Sequence, residues 1–138
     1  MEFTRRLLDR GKFLAQPLVN LSTEELISTL SSAKVYIDFG QHPGKDRIPR
    51  EAALCGCCVL VGKEGSAALK EDVNIPEEYK FEKEESSFVS IERKISDCFV
   101  NFEDNFIRFD DYRRDIENES YLFKKQLNEI VSWIVRNW

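Results

Sequence analysis

The sequence predicts an α/β fold, a parallel sheet covered by helices and followed by a helical C-terminal segment. Three observations predict it. Short apolar runs alternate with turn chemistry over the first half of the chain. All six Gly lie at or before Gly65 and all four Pro at or before Pro76, so chain-breaking residues stop about halfway along. Beyond that point apolar residues recur at three- and four-residue steps, the mark of amphipathic helices. The division this implies is a sheet-forming unit over residues 1–82 and a helical segment over residues 83–138 that packs on it.

The first element in order is Phe13 to Val19, which reads as a strand with Pro17 requiring an edge position or a bulge. A helix follows. Ser22 with Glu25 three residues on makes a capping box, Leu21 with Leu26 a hydrophobic staple, and Leu26, Ile27, Leu30 and Ala33 one buried face. Lys34 to Phe39, with Val35, Tyr36, Ile37 and Phe39, is a β-favouring run and is expected as the central strand. Gly40, Pro43 and Gly44 interrupt it, and Pro49 then suits the first position of a helix running to about Cys55, with Gly56 as its stop. Cys57 to Val61 is a further apolar strand, and Gly62 to Ser66 a second glycine-containing loop. The β-α-β-α-β order implies parallel strands with right-handed crossovers. Both loops then leave the carboxyl edge of the sheet, where ligands of open α/β sheets bind.

In the second half, Phe88, Ile91, Ile95, Cys98, Phe99 and Phe102 mark one helix and Phe123, Leu127, Ile130, Val131, Ile134 and Trp138 another, with a third between Phe106 and Glu117. Trp133 and Trp138 are expected to pack against protein rather than a ligand. No apolar run approaches the roughly 20 residues of a transmembrane helix, and the N-terminus lacks the layout of a signal peptide, so a cytoplasmic location is expected. Cys55, Cys57 and Cys58 crowd together and Cys98 stands apart, a spacing that fits neither a zinc site nor a disulfide framework. Free buried thiols and no metal are expected. The net charge of −5 conceals an asymmetry: residues 1–50 carry 8 basic and 6 acidic side chains, residues 51–138 carry 12 and 19. That distribution argues against a nucleic-acid partner while leaving room for a local anion site.

Such a site has its residues between Gly40 and Glu51. Gly44 lets backbone amides approach a ligand, the start of the next helix offers unpaired N–H groups at a positive dipole end, and Lys45 and Arg47 add full positive charge beside Asp46. Together these are the parts of a diphosphate site, and Glu51 supplies a carboxylate suited to ribose hydroxyls. The same Lys45, Asp46, Arg47 and Glu51 could instead form surface ion pairs around a turn. His42, the only histidine, sits beside the site as a phosphate donor, a proton carrier or a plain turn residue, and Asp38 could cap a helix or orient it.

Pro49-Arg50-Glu51-Ala52-Ala53 followed by Cys55-Gly56-Cys57-Cys58-Val59 resembles the P-x-E-A-x-x-x-G-x-x-V core of the carboxyl-terminal half of GT-B glycosyltransferases. The run from Lys34 to Phe81, including Tyr36 to Gly40 and Gly65-Ser66-Ala67, is similar to bacterial glycosyltransferase-like proteins of polysaccharide synthesis. The resemblance implies a Rossmann-like donor half of a GT-B fold that takes a nucleotide-diphosphate sugar and no other cofactor. Glu51 would bind ribose, Gly44, Lys45, Asp46 and Arg47 the donor phosphates, and His42, Gly65 and Ser66 would lie near the sugar. The chemistry implied is hexosyl transfer, with Lys45, Arg47 and the helix N-terminus offsetting charge on the departing diphosphate.

Where the family often has a second Glu for the sugar, eight positions before the first, this chain has Pro43. The family half also begins with strands that would precede Met1. The chain therefore resembles a fragment or pared-down form, expected to need an acceptor-binding half or a partner protein and to transfer little alone. It offers no nucleophile or general base that can be named. The competing class is a non-enzymatic binding or interaction module on the same fold. A dinucleotide oxidoreductase is disfavoured because no G-x-G-x-x-G follows a strand.

Overall fold

A computed structural model describes residues 2–40, 47–63 and 73–119, with residue 47 described through its backbone only. The elements are α1 (Glu2–Leu8), α2 (Thr23–Ser32), β1 (Val35–Asp38), α3 (Arg47–Leu54), β2 (Cys58–Gly62), β3 (Lys80–Phe81), α4 (Phe88–Val100), α5 (Phe102–Ile107) and a sixth helix, α6, over residues 110–119. The strands form a parallel sheet in the order β1-β2-β3. Val35 to Asp38 align with Cys58 to Val61, and Val61 and Gly62 with Lys80 and Phe81. An α/β fold with a parallel sheet, consistent with a Rossmann-like fragment, is therefore present.

Local chemistry accounts for the helix boundaries. The Ser22 side chain accepts a hydrogen bond from the Glu25 amide at 3.1 Å, the expected N-cap of α2. At the end of α3 the Gly56 amide donates to Ala53 O and the Cys57 amide to Ala52 O, both at 3.0 Å, while Gly56 takes φ +97°. This is a Schellman stop, and the positive φ is why glycine stands there. Pro49 is the third residue of α3 rather than the first. It is tolerated because first-turn amides have no intrahelical acceptor to lose.

Three expectations about elements need correction. Phe13 to Val19 form no strand: Leu14 and Val19 are exposed, Asn20 turns the chain at φ 56°, and Pro17 lacks the amide a ladder requires. β1 is not central either. Among the described residues it pairs only with β2, and its side chains are half-buried, whereas every residue of β2 is buried. The place at the other side of β2 is taken by β3, two residues long and later in the chain. Ile27 and Phe99, expected on buried faces, are about half exposed, while Leu30, Ile91, Ile95 and Cys98 enter the core.

Alternation along β2 separates two layers. The Cys57 thiol donates to Leu30 O of α2 at 3.1 Å, so Cys57, Val59 and Val61 face α2 and α3. Cys58 points the other way and shares a hydrogen bond with the Cys98 thiol of α4. α1 joins the α4 side, with buried Leu7 and with Phe3 against Phe39 and Phe88 at ring-centroid distances of 5.2 and 5.0 Å. α6 is fastened to the end of α3 by Arg113, whose guanidinium donates to Ala53 O at 2.8 Å and to Phe106 O at 2.9 Å and lies 3.8 Å from the Phe106 ring centroid. No helix among the described residues is long and apolar enough to cross a membrane.

Candidate functional site

Parallel pairing brings the carboxyl ends of β1 and β2 side by side, with Asp38 in register with Val61. The chain thus leaves β1 at Gly40 and β2 at Lys63 from neighbouring points on one edge. Asp38 shapes the first departure. Its Oδ1 accepts the Gly40 amide at 2.9 Å and its Oδ2 accepts the Tyr36 hydroxyl at 2.8 Å. Holding this turn is a role the geometry gives Asp38. A Cβ at Gly40 would come within 3.2 Å of Asp38 Oδ1, so the close carboxylate favours glycine.

α3 returns from this edge. Arg47 opens it, so Glu51 is its fifth residue rather than the third that a start at Pro49 would make it; the first turn holds no acid. The helix dipole acts less strongly one turn in. Glu51 is half-buried with Oε2 shielded from solvent. The neighbouring Arg50 pairs with Glu119 of α6 at 2.7 Å, which ties the start of α3 to the helical layer. His42, Gly44, Lys45, Asp46, Gly65 and Ser66 lie outside the described residues, as do Trp133 and Trp138.

Sequence reasoning missed a basic group at the same edge. The ladder continues one residue past β2, since the Lys63 amide donates to Phe81 O at 2.8 Å, so Lys63 shares a face with Val61 and its partner Lys80. Both ammonium groups approach one carboxylate, Glu77, at 3.9 Å. On the opposite face the stem of Lys83 lies across Gly62, where an added Cβ would meet Lys83 Cγ at 3.1 Å and Phe39 Cδ1 at 3.4 Å. Gly62 thus leaves room for both neighbours. The available signal was a lysine one step beyond an apolar run and another inside the short apolar pair Tyr79 and Phe81. Nothing local related the two.

All four cysteines are free thiols. Burial, reinforced by Cys55 and Cys58 nearby, pushes the Cys57 thiol up to about 12. In the Cys58–Cys98 pair the shared hydrogen bond holds Cys58 down and Cys98 up. These thiols face helices rather than the edge, so they are core groups. Among the described residues no three His, Cys, Asp or Glu side chains gather as a metal ion would require. The described edge is thus a glycine-lined rim on which Lys63, Lys80 and Lys83 stand with Asp38 and Glu77, beside the half-buried Glu51 carboxylate on α3. No protein-family model, no curated protein and no solved structure matches the chain.

Proposed function

We propose that the chain is the donor-binding unit of a GT-B-type glycosyltransferase and recognises a nucleotide-diphosphate sugar, with Glu51 on the ribose and the segment from Gly44 to Arg47 on the phosphates. The observation that carries this reading is the unit β1, α3, β2. A parallel strand ends in a glycine turn, a helix bearing Pro49 and Glu51 returns from the carboxyl edge, and a Gly56 stop leads directly into the buried neighbouring strand. The P-x-E-A-x-x-x-G-x-x-V pattern needs that local geometry. Its Glu must stand on a helix beside the edge, its Gly must reverse the chain at positive φ, and its Val must be buried, as Val59 is.

In this reading the unit supplies donor affinity and electrostatic relief for the leaving diphosphate. Acceptor binding and any base belong to another half or a partner. Titration calorimetry with UDP and GDP tests it. One nucleotide is expected to bind, and Glu51→Ala to weaken it about 10- to 100-fold, the loss of a charge-assisted pair of hydrogen bonds. Failure of the wild type to bind either nucleotide would overturn it. A non-enzymatic interaction module is the second reading, favoured by the exposure of Val89, Phe99, Val100 and Ile107 on α4 and α5.

A further inference from the structure

We propose that the open side of β1 is a self-association edge, on which β1 of a second copy of this chain pairs antiparallel about a two-fold axis at Tyr36. The proposal goes beyond the donor-binding reading and does not rest on it.

The composition of β1 and its place disagree. Val35, Tyr36 and Ile37 are residues of a sheet interior, yet all are half-buried, and among the described residues β1 pairs with β2 alone. The register fixes which backbone groups are left over. The Cys58 amide donates to Lys34 O at 2.8 Å, so Lys34, Tyr36 and Asp38 direct their backbone groups at β2. Val35 and Ile37 direct theirs away from it, and among the described residues no backbone hydrogen bond is made on that side. An edge of this kind is a template for a further strand.

The segment is complementary to its own reverse. It runs from a cation, Lys34, through Val35, Tyr36 and Ile37 to an anion, Asp38. Antiparallel pairing about Tyr36 sets Lys34 opposite the partner's Asp38 and Val35 opposite the partner's Ile37, and the two-fold axis repeats both contacts. Val35 and the partner's Ile37 then exchange both N–H···O bonds, while Tyr36 meets the partner's Tyr36 at the closer, non-hydrogen-bonded spacing. A parallel copy in the same register would instead place Lys34 beside the partner's Lys34 and Asp38 beside the partner's Asp38, which is repulsive. Charge thus selects an antiparallel second copy. Lys34 is exposed, and its ammonium stands 5.4 Å from the Phe102 ring centroid, a contact that leaves its N–H donors for a carboxylate. In the dimer the two three-stranded sheets run on as one, and β1 takes the interior place its residues suit. A ladder this short buries little area, so the association is weak and concentration-dependent.

Sedimentation velocity and amide hydrogen exchange followed by NMR test this on the full chain across a concentration series. A reversible dimer with a dissociation constant of about 10–100 µM is expected, in keeping with a small interface. The Val35 and Ile37 amides should exchange about 10-fold more slowly once roughly nine chains in ten are paired, while those of Tyr36 and Asp38, directed at β2, keep their rates. Val35→Lys and Ile37→Glu, each checked for native circular dichroism, should each weaken the dimer about 10-fold or more. Mixed, they should recover much of it, because the introduced lysine of one chain faces the introduced glutamate of the other. A wild type that stays monomeric up to about 1 mM overturns the proposal, whether or not the variants fold. A dimer in which the Val35 and Ile37 amides exchange as fast as in the monomer overturns the edge. Folded variants that associate no better mixed than alone overturn the register. Calorimetry with UDP and GDP reads the donor site separately, so absence of nucleotide binding removes that reading and leaves the dimer standing.

Discussion

Tyr79 is sealed in the core, and its hydroxyl donates to Asn105 Oδ1 at 2.6 Å while also sharing a hydrogen bond with the Arg108 side chain. Asn105 is itself buried and spends its amide on Asn101 O at 2.9 Å and on Asp97 Oδ2 at 3.0 Å. Removing Asn105 leaves a buried hydroxyl without its acceptor, so Asn105→Ala should destabilise by about 2–3 kcal/mol. Tyr79→Phe should cost less, about 1–2 kcal/mol, since part of the Asn105 network remains. A double-mutant cycle by urea denaturation measures the pair, and strict additivity would deny the coupling. The acids of the network respond to pH. Hydrogen bonds from Asn101 and Asn105 hold Asp97 below the usual carboxylate range, and Lys94 with Arg108 does the same for Glu78. A lowered folded-state value means that this stabilisation is fully present above the unfolded value of about 4 and is lost as pH falls through the folded one. Denaturation midpoints should therefore fall on acidification below about pH 4, and Asp97→Asn should make that decline shallower. An unaltered acid limb in the variant would remove Asp97 from the account.

At the scale of elements, the informative variants lie where the chain stops or starts a helix. Gly56 combines φ +97° with a Schellman pair of hydrogen bonds, and a Cβ there meets the Phe106 ring at an ordinary 3.5 Å. Space is available and conformation is not. Gly56→Ala should therefore cost about 1–2 kcal/mol through backbone strain alone, and Ser22→Ala about 1 kcal/mol through the lost cap of α2. Thermal melts of the two variants check both figures. These features were legible in the sequence because their causes are local: a cap and its partner are three residues apart, and a glycine stop reports its own φ. The buried strand Cys58–Gly62 was legible because a run of apolar residues bounded by glycines has few other uses. What failed was whatever depends on distant pairing. Phe13 to Val19 had strand composition but found no neighbour, and β1 had the look of a central strand but lies at an edge. β3 is too short to show a period. The Lys63–Glu77–Lys80 cluster is assembled across the β2–β3 connection, so its lysines carry no signature until the register is known.

For the molecule as a whole, the four thiols report on folding and on the site together. Cys57, Cys58 and Cys98 have no exposed surface, whereas Cys55 is partly open. An aromatic disulfide reagent should thus modify one thiol quickly and three at the rate of global opening. Cys57 is further protected because burial raises it to about 12 and suppresses its thiolate. Cys57 lies between α3 and β2, the two elements that frame the proposed donor site, and Cys58 and Cys98 lock β2 to α4. A ligand that binds only the folded state, present at 100 times its dissociation constant, adds about 2.7 kcal/mol of stability. When reclosing outpaces labelling, the three slow thiols should then react about 100-fold more slowly with nucleotide present, while Cys55 keeps its rate. If calorimetry detects nucleotide binding and the slow phase does not move, the inner thiols are reached through a local opening that leaves the site intact. The donor site and the β2–α4 core would then be separate units of stability.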